Sequence, residues 1–175
     1  MRLNLGAGML SERGWVNADM VKFSGIDLVF NFNKFPWPIG DNLCEEIKIK
    51  DCIHCADNTN KFMEEVWRIC KPNAIVTIEA VNFLSPINCQ DPYMKSRIGW
   101  NTFDVFIPKN LGYYSSKAKF EIVNKKWIFS RNKYLNLLSP LFNIFPTFYA
   151  RFTYFWLPCN VIKFKLKVMK EVKND

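Results

Sequence analysis

Several ingredients of common protein classes are missing from this sequence. The most hydrophobic stretch, residues 141–157, has 17 residues and is interrupted by Asn143, Pro146 and Arg151, whereas a membrane-spanning helix needs about 20 apolar residues. No internal repeat or low-complexity tract is present. Nearly half of the 175 residues are apolar, with 16 Phe, 6 Trp and 6 Tyr, which excludes a disordered or fibrous protein. The sequence therefore predicts one globular domain with a substantial core.

The sequence also lacks the spacing of a zinc site and an apolar leader. Only Cys52 and Cys55 of the six cysteines form a CxxC pair, and a zinc site would need a second pair at similar spacing. The first residues run directly into a glycine turn without the apolar segment of a secretory signal. We expect reduced thiols, no bound metal and a cytoplasmic location.

Acidic residues are scarce in the C-terminal part. The net charge of +8 is uneven, because residues 1–100 hold 11 Lys+Arg and 12 Asp+Glu, whereas residues 101–175 hold 13 and 4. The basic part could meet RNA or anionic lipid, but no nucleic-acid-binding motif accompanies it. Solvated strand faces are the commoner explanation of such lysines.

The first half of the chain alternates strand-like and helix-like runs, as expected of an α/β domain. Residues 59–70 place Phe62, Val66 and Ile69 on one helical face, with Asp57 or Asn58 as the N-cap. Lys71-Pro72-Asn73 is expected to end that helix. The predicted strands are residues 2–5, 14–19, 26–30, 46–50 and 75–78. Five short strands in this order predict a parallel sheet.

The second half is less regular. Residues 82–116 are rich in Pro, Asn, Ser and aromatics, which predicts a lid or binding segment. Residues 119–129 form a strand or a hairpin about Asn124-Lys125, and residues 161–169 form the last strand, which alternates apolar residues with lysines. Those lysines lie on a solvated face or guard a sheet edge. Residues 141–157 read as a Pro-kinked helix, which we expect to pack on the sheet; peripheral contact with a membrane is the alternative.

A strand followed by Gly6-Ala7-Gly8 allows a ligand to approach the backbone closely. A dinucleotide fingerprint would need a third glycine where Ser11 stands and an acid about 20 residues further on, whereas Asp19 comes 13 after Gly6. No Walker lysine follows, so a phosphate loop is excluded. Asp19 follows the second strand, where a carboxylate can accept both hydroxyls of a ribose. The pattern fits a nucleoside without pyrophosphate, such as S-adenosylmethionine.

These residues carry a family resemblance. The runs LNLGAG, GWVNAD, IDLVFNFNKFPWPIGDN, EEIKIKDCIHCADN and FMEEVWRICKPNAIVTIE resemble class I S-adenosylmethionine-dependent methyltransferases, in particular a small type-11-like group with LNLGxG and GWVNxD motifs. The likeness covers residues 2–81, and DPYMKSRIGWNTFDVF resembles a later segment of the same group more loosely. Five motifs in the right order make the resemblance specific.

The resemblance implies the fold and its division. We expect a Rossmann-like α/β fold with helices on both faces of a mostly parallel, seven-stranded sheet, whose last strand is antiparallel and whose strand order is 3-2-1-4-5-7-6. Residues 1–81 would be the cofactor-binding half, 82–118 a lid or acceptor segment, and 119–175 the C-terminal strands and aromatic helix. All three belong to one methyltransferase domain.

The resemblance also implies the cofactor site. The glycine turn would border the methionine part of S-adenosylmethionine, Asp19 would hold the ribose, and Met20 would lie against the adenine. Asn31 stands where the family has an Asp that meets the adenine amino group, and Asp51 would close the pocket on the acceptor side. The full set of expected cofactor-binding residues is Leu5, Gly6, Ala7, Gly8, Asp19, Met20, Asn31, Phe32 and Asp51.

Departures from the family pattern concern the chemistry. The family's HVLEH is here Asp51-Cys52-Ile53-His54-Cys55, its KPGG turn is KPNA, and the His of its DPTHKR segment is Met94. His54, the only histidine, is the candidate catalytic base, with Asp51 beside it; the alternative is a polar corner residue without a catalytic role. The candidate acceptor-binding residues are Asp91, Tyr93, Lys95, Arg97 and Trp100. The alternative interpretation is that these residues belong to a solvated loop without a binding role.

The expected function is methyl transfer from S-adenosylmethionine, leaving S-adenosylhomocysteine, without a metal. The acceptor is a small molecule, sugar or lipid, with a small molecule or sugar preferred, because fold and cofactor do not fix the substrate. The alternative is a catalytically weak or inactive methyltransferase-like scaffold that binds cofactor weakly or not at all and serves as an interaction module. A nucleotide-dependent oxidoreductase ranks below both.

Overall fold

The computed structural model describes residues 1–110, 116–130, 132, 134–153, 155–156 and 158–171. Its centre is one seven-stranded sheet of order β3-β2-β1-β4-β5-β7-β6, in which β7 runs antiparallel to both of its neighbours. The expected order and the single antiparallel strand are confirmed. The strands are β1 (Arg2–Leu5), β2 (Val16–Asp19), β3 (Leu28–Val29), β4 (Cys44–Lys50), β5 (Cys70–Val81), β6 (Phe120–Ile128) and β7 (Val161–Val168).

One long helix and several short ones accompany the sheet. The longest, α1, begins after Asn58, whose side chain accepts the N–H of Lys61 (3.0 Å) and so caps the first turn. Its buried face carries Phe62, Val66 and Ile69, as the spacing predicts. The helices are α1 (Thr59–Ile69), α2 (Pro86–Gln90), α3 (Ser139–Ile144) and α4 (Pro146–Phe148), with 3₁₀ turns at Ile53–Cys55, Thr102–Phe106, Pro108–Asn110 and Leu135–Leu138 and a π turn at Tyr149–Thr153.

The two faces of the sheet differ in chemistry. Strand register places alternate residues of neighbouring strands side by side on one face. The first face is apolar, and its side chains join those of α1 in one core. Its buried residues are Leu3, Leu5, Ala18, Ile47, Ile49, Val76, Ile78, Ile162, Phe164 and Leu166.

The second face is charged and reaches solvent. Arg2 bonds Glu46 (3.1 Å) across β1 and β4, and Lys163 pairs with Glu79 (2.7 Å) across β7 and β5. The connection from β1 to β2, residues 6–15, turns on glycines and holds no helix, because it is too short for a helix and two loops.

Strand limits differ from the sequence expectations in two places. β5 begins at Cys70, directly after α1, because Asn73 takes the left-handed conformation (φ +63°) and lets the chain continue as a strand through Pro72. β6 is one strand, not a hairpin: its register shifts between Ile122 and Asn124, which leaves Val123 as the extra residue, and Asn124 and Lys125 continue the pairing with β7. The lysines of β7 lie on the charged face of an interior strand and guard no edge.

Residues 82–110 pack against the apolar face near β6 and β7. Phe83 donates its N–H to the Ile98 carbonyl (3.0 Å), which folds the segment back on itself. Phe103 lies edge-on to Phe164, with ring centroids 4.7 Å apart, and Phe106 lies edge-on to Phe120 at 6.0 Å. The expected lid thus has a structural role on this face, and residues 111–115 of it lie outside the described residues.

The expected C-terminal helix is divided into α3, α4 and the π turn. The division falls at Phe145 (φ −127°, ψ 68°), because the residue before a proline avoids helical geometry. Phe142 and Tyr149 pack inward, as expected of a helix on the sheet, whereas many neighbouring apolar side chains face solvent. Residues 154 and 157 of this stretch are not among those described. Within the described ranges, no helix has the length and hydrophobicity to cross a membrane.

Candidate cofactor site

The glycine turn after β1 is held against β2 and β4. Gly6 and Ala7 donate their N–H groups to the Ala18 carbonyl (2.9 and 3.1 Å). Gly6 has φ +74°, and a Cβ there would lie 2.5 Å from the Cβ of Cys52. Gly8 has φ +53°, but a Cβ there would meet nothing within 4 Å. The turn therefore needs glycine at position 6 for space and conformation, and at position 8 for conformation alone.

Asp19, at the end of β2, joins this turn directly. Its Oδ2 accepts the N–H of Gly8 (2.8 Å) and its Oδ1 accepts the N–H of Val21 (3.0 Å). The side chain is only half-buried, and each carboxylate oxygen retains a further lone pair for a ligand hydroxyl. The structure thus brings the expected ribose-binding acid and the glycine turn into one unit.

Asp51 and Cys52 follow β4 on the other side of the turn. Asp51 has φ +55° and donates its N–H to the Glu79 carbonyl (3.0 Å). The Cys52 thiol donates to the Leu5 carbonyl (3.3 Å). Burial, together with the nearby charges of Asp19 and Asp51, raises the pKa of Cys52 well above its usual value. Cys52 is therefore a protonated thiol that braces the turn and has no nucleophilic character.

A buried amide network supports the turn from below. Asn17 accepts hydrogen bonds from the Asn4 amide (3.0 Å) and the Glu12 N–H (2.8 Å) through Oδ1. Its Nδ2 donates to the carbonyls of Glu12 and Trp15, both at 3.1 Å. Each polar atom of this side chain is thus used to fix residues 10–15 in the absence of a helix.

A cavity of about 850 Å³ opens beside the turn and continues along the charged face. Four of the expected cofactor residues line it: Gly6, Ala7, Gly8 and Asp51. The remaining lining residues are Asn4, Met9, Leu10, Ser11, Glu12, Lys48, Ile49, Lys50, Thr77, Glu79 and Lys163. The turn therefore faces space large enough for a nucleoside-sized ligand.

The other expected cofactor residues lie outside the lining of that cavity. Leu5 is buried in the core, and Asp19 is half-buried at the end of β2, bonded to the Gly8 N–H. Met20 is 41% exposed, open to a planar ligand. Asn31 uses its Oδ1 to accept the Asn33 N–H (2.9 Å). Phe32 is buried edge-on against Phe62 (5.7 Å), so its side chain is part of the core.

His54 lies away from the cavity. It belongs to the 3₁₀ turn Ile53–Cys55, and its side chain is only 2% exposed. Its backbone carbonyl accepts the N–H groups of Lys95 (2.8 Å) and Ser96 (2.9 Å). The position is thus a buried corner where residues 95–96 dock, whereas a general base must reach the acceptor's proton. Asp51 lines the cavity and His54 does not.

The expected acceptor residues separate into two groups. Arg97 and Trp100 line a second cavity of about 460 Å³, together with Phe83, Gly99, Asn101, Thr102 and Ala150. Lys95 pairs with Asp57 (2.5 Å) at the surface, Asp91 accepts the Tyr93 N–H (2.9 Å), and Tyr93 is 72% exposed. Arg97 and Trp100 therefore share a concave site, whereas Tyr93 and Lys95 lie at the surface.

Several residues that shape the cofactor cavity were not predicted. Lys48, Thr77 and Lys163 line the cavity, and register places them on the same face of β4, β5 and β7. Their signal in the sequence is the two-residue alternation of polar with apolar residues, which is typical of a strand with one solvated face. Among the described residues, no group of three or more His, Cys, Asp or Glu side chains is placed to hold a metal ion.

Strand order, the single antiparallel strand and a ligand crevice at the carboxyl ends of β1 and β2 define the class of fold. The chain has the Rossmann-like fold of class I S-adenosylmethionine-dependent methyltransferases. No protein-family model and no curated protein sequence matches the chain. Its similarity to known proteins is therefore one of structure.

Solved structures similar to this chain cover nearly its whole length. The YcgJ protein of Bacillus subtilis superposes with a TM-score of 0.63 at 11% identity, covering 98% of this chain and 92% of its own. A SAM-dependent methyltransferase of Archaeoglobus fulgidus superposes with a TM-score of 0.55 at 15% identity, and the match covers 95% of this chain and 85% of that one. Phosphoethanolamine N-methyltransferase 2 of Haemonchus contortus superposes with a TM-score of 0.57 at 17% identity, and the match covers 97% of this chain and 49% of that one. That structure contains phosphomonomethylethanolamine and S-adenosylhomocysteine. At these identities the likeness establishes the fold.

Proposed function

We propose that this protein is an S-adenosylmethionine-dependent methyltransferase. The observation that carries the proposal is the hydrogen bond between the Gly8 N–H and the Asp19 carboxylate, which joins a glycine turn to an acid at the sheet edge where such folds bind ligands. The cavity beside the turn supports it, because the open space at Gly8 leaves backbone accessible to a ligand. Structural neighbours with the cofactor's product bound point the same way.

The bound cofactor would supply an activated methyl group on a sulfonium. The chain's part is to bind and orient: Asp19 holds the ribose hydroxyls, the glycine turn borders the methionine part, and Met20 and Asn31 meet the adenine. Because methyl transfer needs chiefly an in-line acceptor, positioning supplies most of the catalysis. Asp51 lines the cavity and is the better placed proton acceptor, while a catalytic role for His54 stays a prediction, since it requires the buried corner at residues 53–55 to open.

The proposed acceptor is a small molecule or sugar, with lipid as the alternative, and the proposed location is the cytoplasm. Arg97 and Trp100 are the proposed acceptor contacts because they share a cavity. The competing function is an inactive scaffold, favoured by the burial of His54. Cofactor binding separates the two, since a scaffold that lost the reaction has no need of the Gly8–Asp19 unit.

The test is calorimetric and thermal-shift binding of S-adenosylhomocysteine and S-adenosylmethionine, with NAD as the comparison. At a hundredfold excess over Kd, a ligand that binds only the folded state stabilises it by about 2.7 kcal/mol. We expect stabilisation by both adenosyl ligands and none by NAD. Asp19→Ala should weaken S-adenosylhomocysteine binding at least about tenfold, since it removes a charge-assisted hydrogen bond.

The matched control is Asp41→Ala. Asp41 is exposed and pairs with Arg68 (2.5 Å), and it precedes β4, at the opposite edge of the sheet from Asp19. This variant should retain wild-type affinity. Absence of a shift with either adenosyl ligand would favour the scaffold, and equal affinity of the Asp19 variant and the wild type would show that the ribose lies elsewhere.

A further inference from the structure

The connection from β6 to β7 carries an exposed apolar surface. Exposed apolar side chains follow one another from Leu138, at the end of a 3₁₀ turn, through α3, α4 and the π turn to Trp156. Phe145 is 72% exposed and Trp156 is 89% exposed. We call the following set the apolar ridge: Leu138, Leu141, Ile144, Phe145, Phe148, Phe152, Phe155 and Trp156.

The orientation of the apolar ridge is fixed by its inward neighbours. Phe142 stacks on Phe129, with ring centroids 5.3 Å apart, and Tyr149 lies edge-on to Trp127 at 5.0 Å. The Asn143 side chain bonds the backbone of Trp127 twice, donating to its carbonyl (2.8 Å) and accepting its N–H (2.9 Å). Because these anchors hold the inner side, the ridge residues cannot turn into the core.

The connection that carries the ridge is basic. Residues 129–160 include Arg131, Lys133 and Arg151 and no Asp or Glu. Arg151 is exposed, and its guanidinium lies 6.0 Å from the centroid of the Phe152 ring. An apolar patch of this size marks a protein or membrane contact, and the basic charge of the connection matches a surface that is both apolar and anionic.

We propose that the apolar ridge docks this protein on an anionic lipid bilayer. Phe, Trp and Leu side chains insert into the region between headgroups and acyl chains, while lysine and arginine attract the anionic headgroups. The connection itself contributes no acidic residue that would repel the headgroups. Docking is independent of the methyl transfer proposed above.

Docking would bring one particular edge of the sheet to the membrane. β6 runs parallel to β1 and β4, so the ridge leaves the sheet at the edge that also carries the glycine turn and Asp51. Asn82, which follows β5 at this edge, fixes the end of the connection by donating its Nδ2 to the Cys159 carbonyl (2.8 Å) and its N–H to the Asn160 carbonyl (2.9 Å). The cofactor edge would therefore face the bilayer.

Co-sedimentation with vesicles tests the proposal. The full chain should bind vesicles of equal parts phosphatidylglycerol and phosphatidylcholine, bind pure phosphatidylcholine more weakly, and dissociate as salt is raised. The triple variant Phe145→Ser, Phe148→Ser, Phe152→Ser should lower the partition coefficient about tenfold or more, since three large apolar side chains no longer insert.

The control is a triple variant in which three exposed apolar residues outside the ridge are also replaced by serine: Leu43→Ser, Val123→Ser and Met169→Ser. This variant should bind vesicles like the wild type. Near-ultraviolet circular dichroism and S-adenosylhomocysteine binding verify that each variant is folded. A folded wild-type chain that ignores anionic vesicles overturns docking and leaves the proposed enzyme function intact. Docking is also overturned if the wild-type chain does not bind vesicles and sedimentation shows that it is a dimer, whereas the ridge variant is a monomer.

Discussion

Residues 1–81 and the connection between β6 and β7 differ in how their polar, charged and apolar side chains find partners. In residues 1–81 the charges balance closely, and a polar residue such as Asn17 has each side-chain atom bonded within the fold. The connection, by contrast, leaves large apolar side chains in solvent and holds charges of only one sign. The first region meets its hydrogen-bonding needs within the fold, whereas the second leaves apolar surface that a binding partner could cover.

The comparison is tested most strongly by neighbouring phenylalanines of the connection. Phe142→Ala should lower the free energy of unfolding by about 4 kcal/mol, because its ring is buried between Phe129 and Tyr149. Phe145→Ala should change it by no more than about 0.5 kcal/mol, because that ring lies in solvent. Urea denaturation measures both. Similar losses in the two variants would mean that the ridge is part of the core.

Two glycines sharpen the comparison within the cofactor half. Gly6→Ala combines a left-handed backbone with a clash against Cys52 and should cost about 3 kcal/mol. Gly8→Ala has the backbone strain without the clash and should cost about 1 kcal/mol. The difference in urea midpoints reports how tightly the turn is packed. Equal costs would contradict the packing of Cys52 against the turn.

The smallest expected effect concerns the ion pair between Glu65 and Arg68, within residues 1–81. Burial raises the pKa of Glu65, but hydrogen bonds from Arg68 (2.7 and 2.8 Å) and the Trp37 N–H (2.8 Å) outweigh it, and the pKa is lowered overall. Since the folded pKa lies below the unfolded one, this stabilisation is complete above the unfolded pKa and is lost as pH falls through the folded pKa.

Glu65→Gln should therefore lower stability at neutral pH by on the order of 1 kcal/mol. The variant should also lose less stability than the wild type when the pH falls below about 4. Denaturation curves recorded across this range measure both changes. Parallel stability profiles for variant and wild type would show that the carboxylate is not stabilised by its partners.

Much of the fold follows from patterns that are local in the sequence. The spacing of Phe62, Val66 and Ile69 predicted α1, and the alternation in β7 predicted its buried and solvated faces. The full strand order came from the family resemblance, because periodicity specifies strands but not their neighbours. The composition of the solvated face was not predicted, because it depends on the strand register, which brings Arg2 beside Glu46 and Glu79 beside Lys163.

The candidate site was predictable to a similar depth. Gly6, Gly8 and Asp19 stood out because backbone space and a carboxylate at a strand end have recognisable signatures. The burial of His54 was not predicted, because exposure depends on residues 95–96 docking on its carbonyl from a distant part of the chain. The sequence also does not show that Phe142 is buried and Phe145 exposed, because contacts with distant residues such as Phe129 decide which ring packs inward.

Because Cys52 packs against Gly6, the reactivity of its thiol reports local opening of the turn. The Cys52 thiol is buried, and its raised pKa keeps it protonated, so an alkylating reagent reacts only when the ends of β1 and β4 separate. The rate of that labelling measures local opening of the cofactor edge. A ligand seated on the turn would slow the opening, so that one thiol reads out occupancy without any assay of turnover.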